Sequence, residues 1–335
     1  MDVRVGIVGA AGAVGAMVLR VLEERSFPLS HLRCLATARS AGARVRFRGT
    51  EVPVEETTPA SLRGMDICFL AVPGAQTSRE LAPLARDGGA FVIDKGSAFR
   101  LDPDVPLVVP EVNGEQVCAG QPGLVASPNC TTIPLVLCLH PLGRRAGLRR
   151  VIVSTYQAAS GAGRAGAEAL RREAAAVLAG REAEPSVFPR RLAFNVIPQC
   201  DRFGEAGYTG EEWKLMRESR KILGRPDLRI AATAARVPVF VGHSESVYVE
   251  TEEPLSVAEA RALLRAAPGV CLQDDPEAGA YATAAAAEGS DLAHVSRLRQ
   301  DPEDGRGLHL WVVGDNLRRG AATNAVQIAE LWLSR

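Results

Sequence analysis

The apolar and polar positions in the first half of the chain alternate between short apolar runs and amphipathic segments. Val3–Val8 is rich in β-branched residues and almost wholly apolar, as expected for a strand buried on both faces of a parallel sheet. Helical spacing follows from Val14 to Leu22. A helical segment at Ser78–Arg86 lies among further strand-like runs at Leu32–Ala36, Met65–Ala71, Ala90–Asp94 and Leu107–Val109. Alternating strands and helices predict an α/β fold with a doubly wound parallel sheet.

The pattern changes near residue 133, where the apolar runs become longer and the helices fewer. The extended runs are Arg150–Gln157, Arg229–Val241, Ser246–Thr251 and Leu308–Val313, and the helical segments are 162–180, 211–223, 256–266 and 321–334. Long strands with few intervening helices predict an α+β second domain with a mixed or antiparallel sheet. We therefore expect a first domain over residues 1–132, a second over 133–317, and a C-terminal helix within 318–335 that packs back on the first domain.

Composition and charge limit the class of protein. At 335 residues, 47% of them apolar, the chain is long enough for about two domains with sizeable cores. Its 39 basic and 39 acidic side chains cancel, so no net field favours a nucleic acid or a membrane as partner. The apolar stretch 5–19 resembles the core of a signal peptide, but its regularly spaced glycines and the charged segment after it argue against that reading. We expect a cytoplasmic protein without a membrane span.

The seven cysteines are odd in number and scattered, with no Cys-x-x-Cys pair. This pattern argues against a disulfide framework and a zinc site, and no metal is expected. The chain is expected to carry reduced thiols, one of which could be reactive.

Gly9, Gly12 and Gly15 lie where the first predicted strand gives way to the first helix. Glycines in such a turn let backbone N–H groups approach a pyrophosphate, and the helix amino terminus adds a partial positive charge. The motif predicts a Rossmann-type dinucleotide site; glycines for close helix–strand packing alone are the alternative. Where an NAD site has an acidic residue after the second strand, this chain has Arg39 and Ser40. That difference favours NADP, because an arginine can bind its 2′-phosphate.

Cys130 has the most informative surroundings of the cysteines. Pro128 and Asn129 predict a turn, and Pro134 suits the first turn of a helix that begins just after the cysteine. A thiolate at a helix amino terminus is stabilised, which a nucleophile requires. His243, in a glycine-permitted turn between two predicted strands, is the candidate base, with a structural histidine as the alternative.

Six segments, in order along essentially the whole chain, resemble the aspartate-semialdehyde dehydrogenase family. They are GAAGAVG at 9–15, PNCTT at 128–132, TYQAASGAG at 155–163, GYTGEEWK at 207–214, RVPVFVGHS at 236–244 and GDNLRRGAATNAVQIAE at 314–330. The resemblance implies reductive dephosphorylation of L-aspartyl 4-phosphate by NADPH through a cysteine acyl-thioester. The products would be aspartate semialdehyde and phosphate, on the biosynthetic route to diaminopimelate, lysine, threonine and methionine.

Matched position by position, the family pattern implies a role for each site residue. Cys130 would attack the acyl phosphate, His243 would take the thiol proton and act as acid/base, and Gln157 would orient the substrate. Arg236 would bind the α-carboxylate, Glu211 the α-amino group, and Arg100 with Lys214 the phosphate, unless Glu211 and Lys214 form only a solvated ion pair. The matching cofactor positions are Gly9, Gly12, Ala13, Val14, Gly15, Arg39, Ser40, Ser160, Gly161 and Asn316.

A few positions depart from the family pattern. Lys95 lies in a stretch that usually carries an Asn and a small residue, Ala234 replaces a frequent Cys, and Ala71–Gly74 replaces a Ser-Ala-Gly-Gly run. None of these changes removes a predicted reacting group. The large sheet expected in the second domain predicts a homodimer.

Three other functions share part of this pattern. N-acetyl-γ-glutamyl-phosphate reductase has the same nucleotide fold and Cys/His chemistry but needs no carboxylate for a free α-amine, so Glu211 argues against it. Glyceraldehyde-3-phosphate dehydrogenase shares the thiol chemistry but not the glycine spacing or the EEWK segment. A non-catalytic protein that binds NADP or a protein partner would have little reason to keep all the reacting groups together.

Overall fold

The computed structural model describes residues 3–118 and 120–334, which divide into two compact units. The first unit runs up to Pro128 and takes up the chain again from Ala321, and the second is Asn129–Gly320. The described residues do not include 1, 2 and 119 of the expected first domain, or 335 of the expected C-terminal segment 318–335. Among the helices of the described ranges, none combines the length and the apolar character that a membrane crossing requires.

The first unit contains one seven-stranded sheet. Its elements up to Pro128 are β1 (Val3–Val8), α1 (Ala13–Glu24), β2 (Leu29–Ala36), β3 (Arg44–Phe47), β4 (Thr50–Glu56), β5 (Ile67–Leu70), α2 (Ala75–Asp87), β6 (Phe91–Asp94), α3 (Pro110–Asn113) and β7 (Gly123–Ala126). The strand order is β3-β4-β2-β1-β5-β6-β7, and every neighbouring pair is parallel except β3 with β4. The order reverses at β1, and doubly wound sheets bind ligands at the carboxyl ends of strands at such a point.

The second unit contains a mixed six-stranded sheet. Its elements are α4 (Thr132–Ala146), β8 (Leu148–Gln157), α5 (Gly163–Leu178), α6 (Gly210–Ile222), β9 (Arg229–Arg236), β10 (His243–Thr251), α7 (Val257–Ala266), β11 (Val270–Leu272), β12 (Asp274–Asp275), β13 (Ala280–Tyr281), α8 (Ala284–Ala287), β14 (Ala293–Gln300) and β15 (Gly307–Gly314). The sheet order is β11-β14-β15-β10-β8-β9, and β12 pairs with β13 separately. β10 is antiparallel to β8 and β15, whereas β8 and β9 are parallel. The helix α4 packs on β8, β10, β14 and β15.

The chain from Ala321 rejoins the first unit as α9 (Thr323–Ser334). Ala325 and Val326 of α9 are buried in the core that includes α1 and the parallel sheet. The Trp332 ring stacks on Phe91 with 5.5 Å between ring centroids. The last helix therefore contributes apolar surface to a core built mainly from the other end of the sequence.

The strand predicted at Leu107–Val109 is wrong. Only Leu107 pairs, in an isolated bridge with Ala126, and the edge strand is β7. Pro106 and Pro110 enclose the predicted run, and proline cannot donate to a strand ladder. Sequence reasoning also missed the β3–β4 hairpin and β14, because charged side chains interrupt their apolar positions.

Candidate active site

The glycine turn lies between β1 and α1 in the first unit. Gly12 is the N-cap residue of α1, so the amides of Ala13–Gly15 begin the helix without intrahelical acceptors. Gly9 has φ +85°, and a Cβ there would collide with the carbonyl oxygen of Ala71. A Cβ on Gly15 would collide with the carbonyl oxygen of Gly9. Glycine thus permits a close turn whose helix terminus can hold a pyrophosphate.

Arg39 and Ser40 lie in the short 3-10 turn Ala38–Ser40, directly after β2. The end of β2 adjoins the glycine turn, because the N–H groups of Gly9 and Ala10 both donate to the carbonyl of Leu35, at 2.8 and 3.1 Å. Arg39 is exposed and Ser40 half-buried. Both lie at the strand end where a Rossmann-type site binds the ribose of the dinucleotide.

Arg100 lies in the segment that follows β6, also in the first unit. Its Nη2 donates to the carbonyl of Lys95 at 2.9 Å, and Lys95 Nζ donates to Ser127 Oγ at 2.9 Å. Asp94, at the end of β6, is buried, and burial raises the pKa of its carboxyl above the usual value. Lys95, one of the positions that differ from the family pattern, therefore links the segment after β6 to Ser127, three residues before Cys130.

Cys130 lies just before α4 in the second unit and is half-exposed. Asn129 Oδ1 accepts the N–H and the hydroxyl of Thr131, at 2.9 and 2.7 Å, and closes an Asx turn around the cysteine. On the other side, a Cβ on Gly320 would lie 2.9 Å from the Cβ of Cys130. The cysteine is therefore closely held at the amino terminus of a 15-residue helix, whose dipole favours a thiolate.

Two glutamates of α6 hold the residue before the cysteine. Glu218 Oε2 accepts the N–H of Asn129 at 2.7 Å, and Glu211 Oε1 accepts its Nδ2 at 3.0 Å. Lys214 Nζ lies 3.3 Å from the other oxygen of Glu211 and 2.6 Å from Asp201 Oδ2. Glu211 and Lys214 are therefore joined to the turn that carries Cys130.

Three predicted residues lie at one edge of the mixed sheet, and all three are buried. Gln157 ends β8, Arg236 ends β9, and His243 begins β10. β8 and β9 are parallel and pair Gln157 with Arg236, whereas β10 is antiparallel to β8. The topology alone thus brings together residues that are far apart in sequence.

The backbone of Ala158 links Arg236 to His243. Its carbonyl accepts Arg236 Nη1 at 2.8 Å, and its N–H donates to His243 Nδ1 at 3.0 Å. Because an amide N–H can only donate, the neutral imidazole carries its proton on Nε2. Burial, and after it the Arg236 guanidinium, holds the pKa of His243 well below its usual 6.5. At neutral pH His243 is uncharged and has an Nε2–H to donate.

The predicted cofactor residues of the second unit surround this histidine. Asn316 Oδ1 accepts the N–H of Gly242 at 2.9 Å, and Asn316 Nδ2 donates to Ser160 Oγ at 3.0 Å. A Cβ on Gly161 would lie 2.5 Å from Arg236 Nη1 and 3.4 Å from His243 Nε2. Glycine at this position leaves the space beside the imidazole and the guanidinium open.

Cys130 is half-exposed, whereas four of the other cysteines are buried: Cys34, Cys68, Cys138 and Cys200. Burial raises the pKa of Cys34, Cys68 and Cys200 to about 12, so these three are thiols at neutral pH. Within the described ranges, no group of three or more His, Cys, Asp or Glu side chains could hold a metal ion.

The sequence predicted a turn at Asn129 but no role for its side chain in the site, and it gave no sign of Ala158, Glu218 and Gly320. The Asx turn that Asn129 closes is a local feature that its residue type favours. Glu218 is 89 residues from Asn129, and no local pattern pairs them. The Ala158 contact is made by a backbone group, which the side-chain pattern does not show.

Comparison with known proteins shows which sequences and structures this chain is similar to. Residues 4–119 match the family model "Semialdehyde dehydrogenase, NAD binding domain", and residues 139–319 match "Semialdehyde dehydrogenase, dimerisation domain". The aspartate-semialdehyde dehydrogenase of Aquifex aeolicus is 48% identical over 334 residues, covering 99% of this chain and 98% of the relative. That of Bacillus subtilis is 47% identical over 334 residues, covering 97% and 96%. The crystal structure of aspartate semialdehyde dehydrogenase II complexed with ASA from Vibrio cholerae has a TM-score of 0.94 at 42% identity, covering 99% of this chain and 98% of that chain.

The fold and the site define this chain as a semialdehyde dehydrogenase, with an NAD-binding domain followed by a dimerisation domain. The similarity extends over nearly the whole length of both chains. The chain belongs to the aspartate-semialdehyde dehydrogenase family.

Proposed function

We propose that the protein reduces L-aspartyl 4-phosphate with NADPH to L-aspartate 4-semialdehyde and phosphate, in the biosynthesis of lysine, threonine and methionine. The observation that carries this proposal is that Glu211 binds the residue directly before Cys130, while Arg236 and His243 are both hydrogen-bonded to Ala158. A cytoplasmic location is part of the proposal, because buried thiols such as Cys34 and Cys68 form no disulfide.

The proposed cofactor is NADP(H), bound by the first unit. The glycine turn and the first amides of α1 fit a pyrophosphate, because the N–H groups of Ala13–Gly15 at the helix amino terminus have no intrahelical acceptors. Arg39 and Ser40 fit a 2′-phosphate, since they offer a guanidinium and a hydroxyl where an NAD site has an acid. Ser160, Gly161 and Asn316 are the proposed contacts from the second unit. When bound, NADPH supplies the hydride that reduces the enzyme-bound thioester.

Cys130 performs the covalent chemistry in this proposal. Its sulfur bonds to the acyl carbon, the bond from that carbon to the phosphate oxygen breaks, and phosphate leaves. Reduction leaves the oxyanion of the thiohemiacetal; its oxygen re-forms the carbonyl as the carbon–sulfur bond breaks, which releases the aldehyde and restores the thiolate. The helix amino terminus at Cys130 stabilises the thiolate both before attack and after release.

His243 acts in this mechanism through Nε2. The tautomer set by Ala158 makes Nε2 a donor in the resting state. We therefore assign the Nε2–H to the oxyanion of the tetrahedral intermediates, where a fixed donor contributes most. Removal of the thiol proton by a resting imidazole, as the family resemblance implied, fits this tautomer less well, because Nε2 is already protonated.

Charged and polar side chains bind the substrate in this proposal. Arg236 binds the α-carboxylate with its planar fork, and Glu211 binds the α-ammonium. Arg100 and Lys214 bind the phosphate, and Gln157 orients the acyl group. A zwitterionic substrate with a phosphate group requires both signs of charge in one site, and these residues supply them.

The test is oxidation of aspartate semialdehyde in the reverse direction, followed as phosphate-dependent formation of NADPH. We expect turnover in the wild type and a loss of kcat of at least about 10³-fold in Cys130→Ala, because the nucleophile is removed. Cys118→Ala, at an exposed cysteine, is the matched control and should retain activity.

Two outcomes would overturn the proposed function. One is wild-type protein that shows no phosphate-dependent turnover, and the other is Cys130→Ala with unchanged kcat. Faster turnover of N-acetylglutamate semialdehyde than of aspartate semialdehyde would favour the reductase alternative instead.

A further inference from the structure

Asn129, the residue before the proposed nucleophile, makes hydrogen bonds through each of its polar groups. Its N–H donates to Glu218 at 2.7 Å, and its Nδ2 donates to Glu211 at 3.0 Å. Its Oδ1 accepts from Thr131, and its carbonyl accepts the N–H of Ile133 at 3.2 Å. Residues 127–131 belong to neither a helix nor a strand, so these hydrogen bonds position the segment.

Glu218 is a glutamate at a fully buried position of α6. It lies in the middle of α6 and is only 1% exposed. A buried carboxylate is costly unless it receives hydrogen bonds, and the 2.7 Å bond from Asn129 has the short length of a charge-assisted one. Glu211 and Glu218 are seven residues apart, about two helical turns, so one face of α6 holds the turn at two points.

We propose that Glu218 is a positioning residue that orients the Cys130 thiol through the backbone N–H of Asn129. The proposal rests on the proposed function in that Cys130 is the nucleophile. Glu218 does not touch the substrate; it fixes the plane of the Pro128–Asn129 peptide, and Asn129 in turn carries the Asx turn that encloses the cysteine and sets the direction of its sulfur. A displacement of about 1 Å at a reacting atom can cost about 10²-fold in rate, so a residue behind the turn can control kcat.

Glu173 provides a matched control for this role. It is a buried glutamate of α5 whose Oε2 accepts the N–H groups of Leu192 and Ala193, at 2.7 and 3.1 Å. Its carboxylate therefore makes the same kind of bond to a loop that does not carry Cys130. Its loss should cost stability comparable to the loss of Glu218 without changing the reactivity of the thiol.

The experiment measures alkylation of Cys130 by iodoacetamide in the full-length protein from about pH 6 to about pH 9, by mass spectrometry of the peptide that contains it. The exposed Cys118 in each sample is the internal reference. We expect Glu218→Ala to slow alkylation of Cys130 by about tenfold and lower kcat by about 10²-fold, with KM within about twofold of wild type. Glu218→Gln keeps an oxygen acceptor, so its alkylation rate at Cys130 and its kcat should both be close to those of wild type. Glu173→Ala should leave the alkylation rate unchanged.

Equal Cys130 alkylation rates in Glu218→Ala and wild type would overturn the proposal, and so would an equal slowing in Glu173→Ala. If Glu218→Ala does not fold, Glu218→Asp decides the question, because it keeps the charge but withdraws the acceptor by about 1.5 Å; an alkylation rate equal to wild type would then contradict the proposal. Alkylation requires no substrate, so this result is independent of the turnover assay that tests the proposed function.

Discussion

At the scale of single residues, one backbone group decides the chemistry available to His243. The N–H of Ala158 occupies Nδ1, and burial keeps the imidazole uncharged at neutral pH. The carbonyl of the same residue accepts a hydrogen bond from Arg236, the proposed ligand of the α-carboxylate. The proposed oxyanion donor and the proposed carboxylate ligand are therefore both held by hydrogen bonds to Ala158.

Arg39 is predicted to favour NADP over NAD. Replacing Arg39 by Ala removes the guanidinium proposed for the 2′-phosphate, so KM for NADP should rise at least about tenfold while KM for NAD stays within about twofold. Initial-rate measurements with both cofactors check this. Arg63→Ala, at another exposed arginine of the first unit, is the control. Equal increases for NADP and NAD would contradict a role in binding the 2′-phosphate.

At the scale of elements, β10 directs two titratable side chains to its buried face, His243 at its start and Glu245 two residues later. Glu245 pairs with Thr155 on β8 and Val312 on β15. Within the described residues, neither of its carboxyl oxygens has a hydrogen-bond partner. Burial raises the pKa of Glu245 well above its usual 4.5, so the folded protein holds a proton that the unfolded chain releases.

The pH dependence of stability follows from that difference in pKa. Because the folded state binds more protons than the unfolded state above pH 4.5, the contribution of Glu245 to stability falls as pH rises from 4.5 towards its folded pKa. Glu245→Gln does not titrate. The free energy of unfolding of Glu245→Gln minus that of wild type should therefore increase by about 1.4 kcal/mol per pH unit in this range.

Urea unfolding of both proteins at intervals from about pH 5 to about pH 8 measures this gain. Parallel pH profiles for Glu245→Gln and wild type would mean that the carboxyl is ionised in the folded protein.

At the scale of the whole molecule, one face of the mixed sheet is covered only in part by the described chain. Ile152 and Tyr156 of β8 are exposed there, and the Tyr156 ring lies 5.5 Å from Trp311 of β15. Exposed apolar faces of this kind mark interaction surfaces. The match to a dimerisation domain over residues 139–319 supports a second copy of the chain as the partner. We propose a homodimer that buries this face.

Ile152→Arg tests the proposed interface. A charge in the middle of an apolar contact cannot be desolvated without a partner, so the variant should be monomeric at micromolar concentrations at which the wild type is dimeric. Sedimentation velocity measures both states. Leu84→Arg, at an apolar side chain of similar exposure on α2 of the first unit, should leave the dimer intact (41% exposed, against 38% for Ile152). A wild-type monomer, or a dimer that tolerates Ile152→Arg, would exclude this face as the interface.

Features that depend on local pattern could be predicted from the residues alone. The apolar run of β1, the glycine turn and the helical spacing of α1 predicted the start of a doubly wound sheet, and the longer runs after residue 133 predicted a mixed sheet. Cys130 and His243 could be selected because turn and helix signals surround them. Where local signals were ambiguous, the prediction was wrong or incomplete, as at Leu107–Val109 between two prolines and at the charged strands β3, β4 and β14.

The orientation of the site residues depends on hydrogen bonds that form only in the folded chain. The bond between Glu218 and Asn129 joins residues 89 positions apart, and the bond between Ala158 and His243 joins residues 85 positions apart. Both bonds involve backbone N–H groups, which every residue except proline carries, so no residue type marks them in the sequence. Local sequence shows which side chains can react. Their tautomer, burial and direction depend on packing between elements that are distant along the chain.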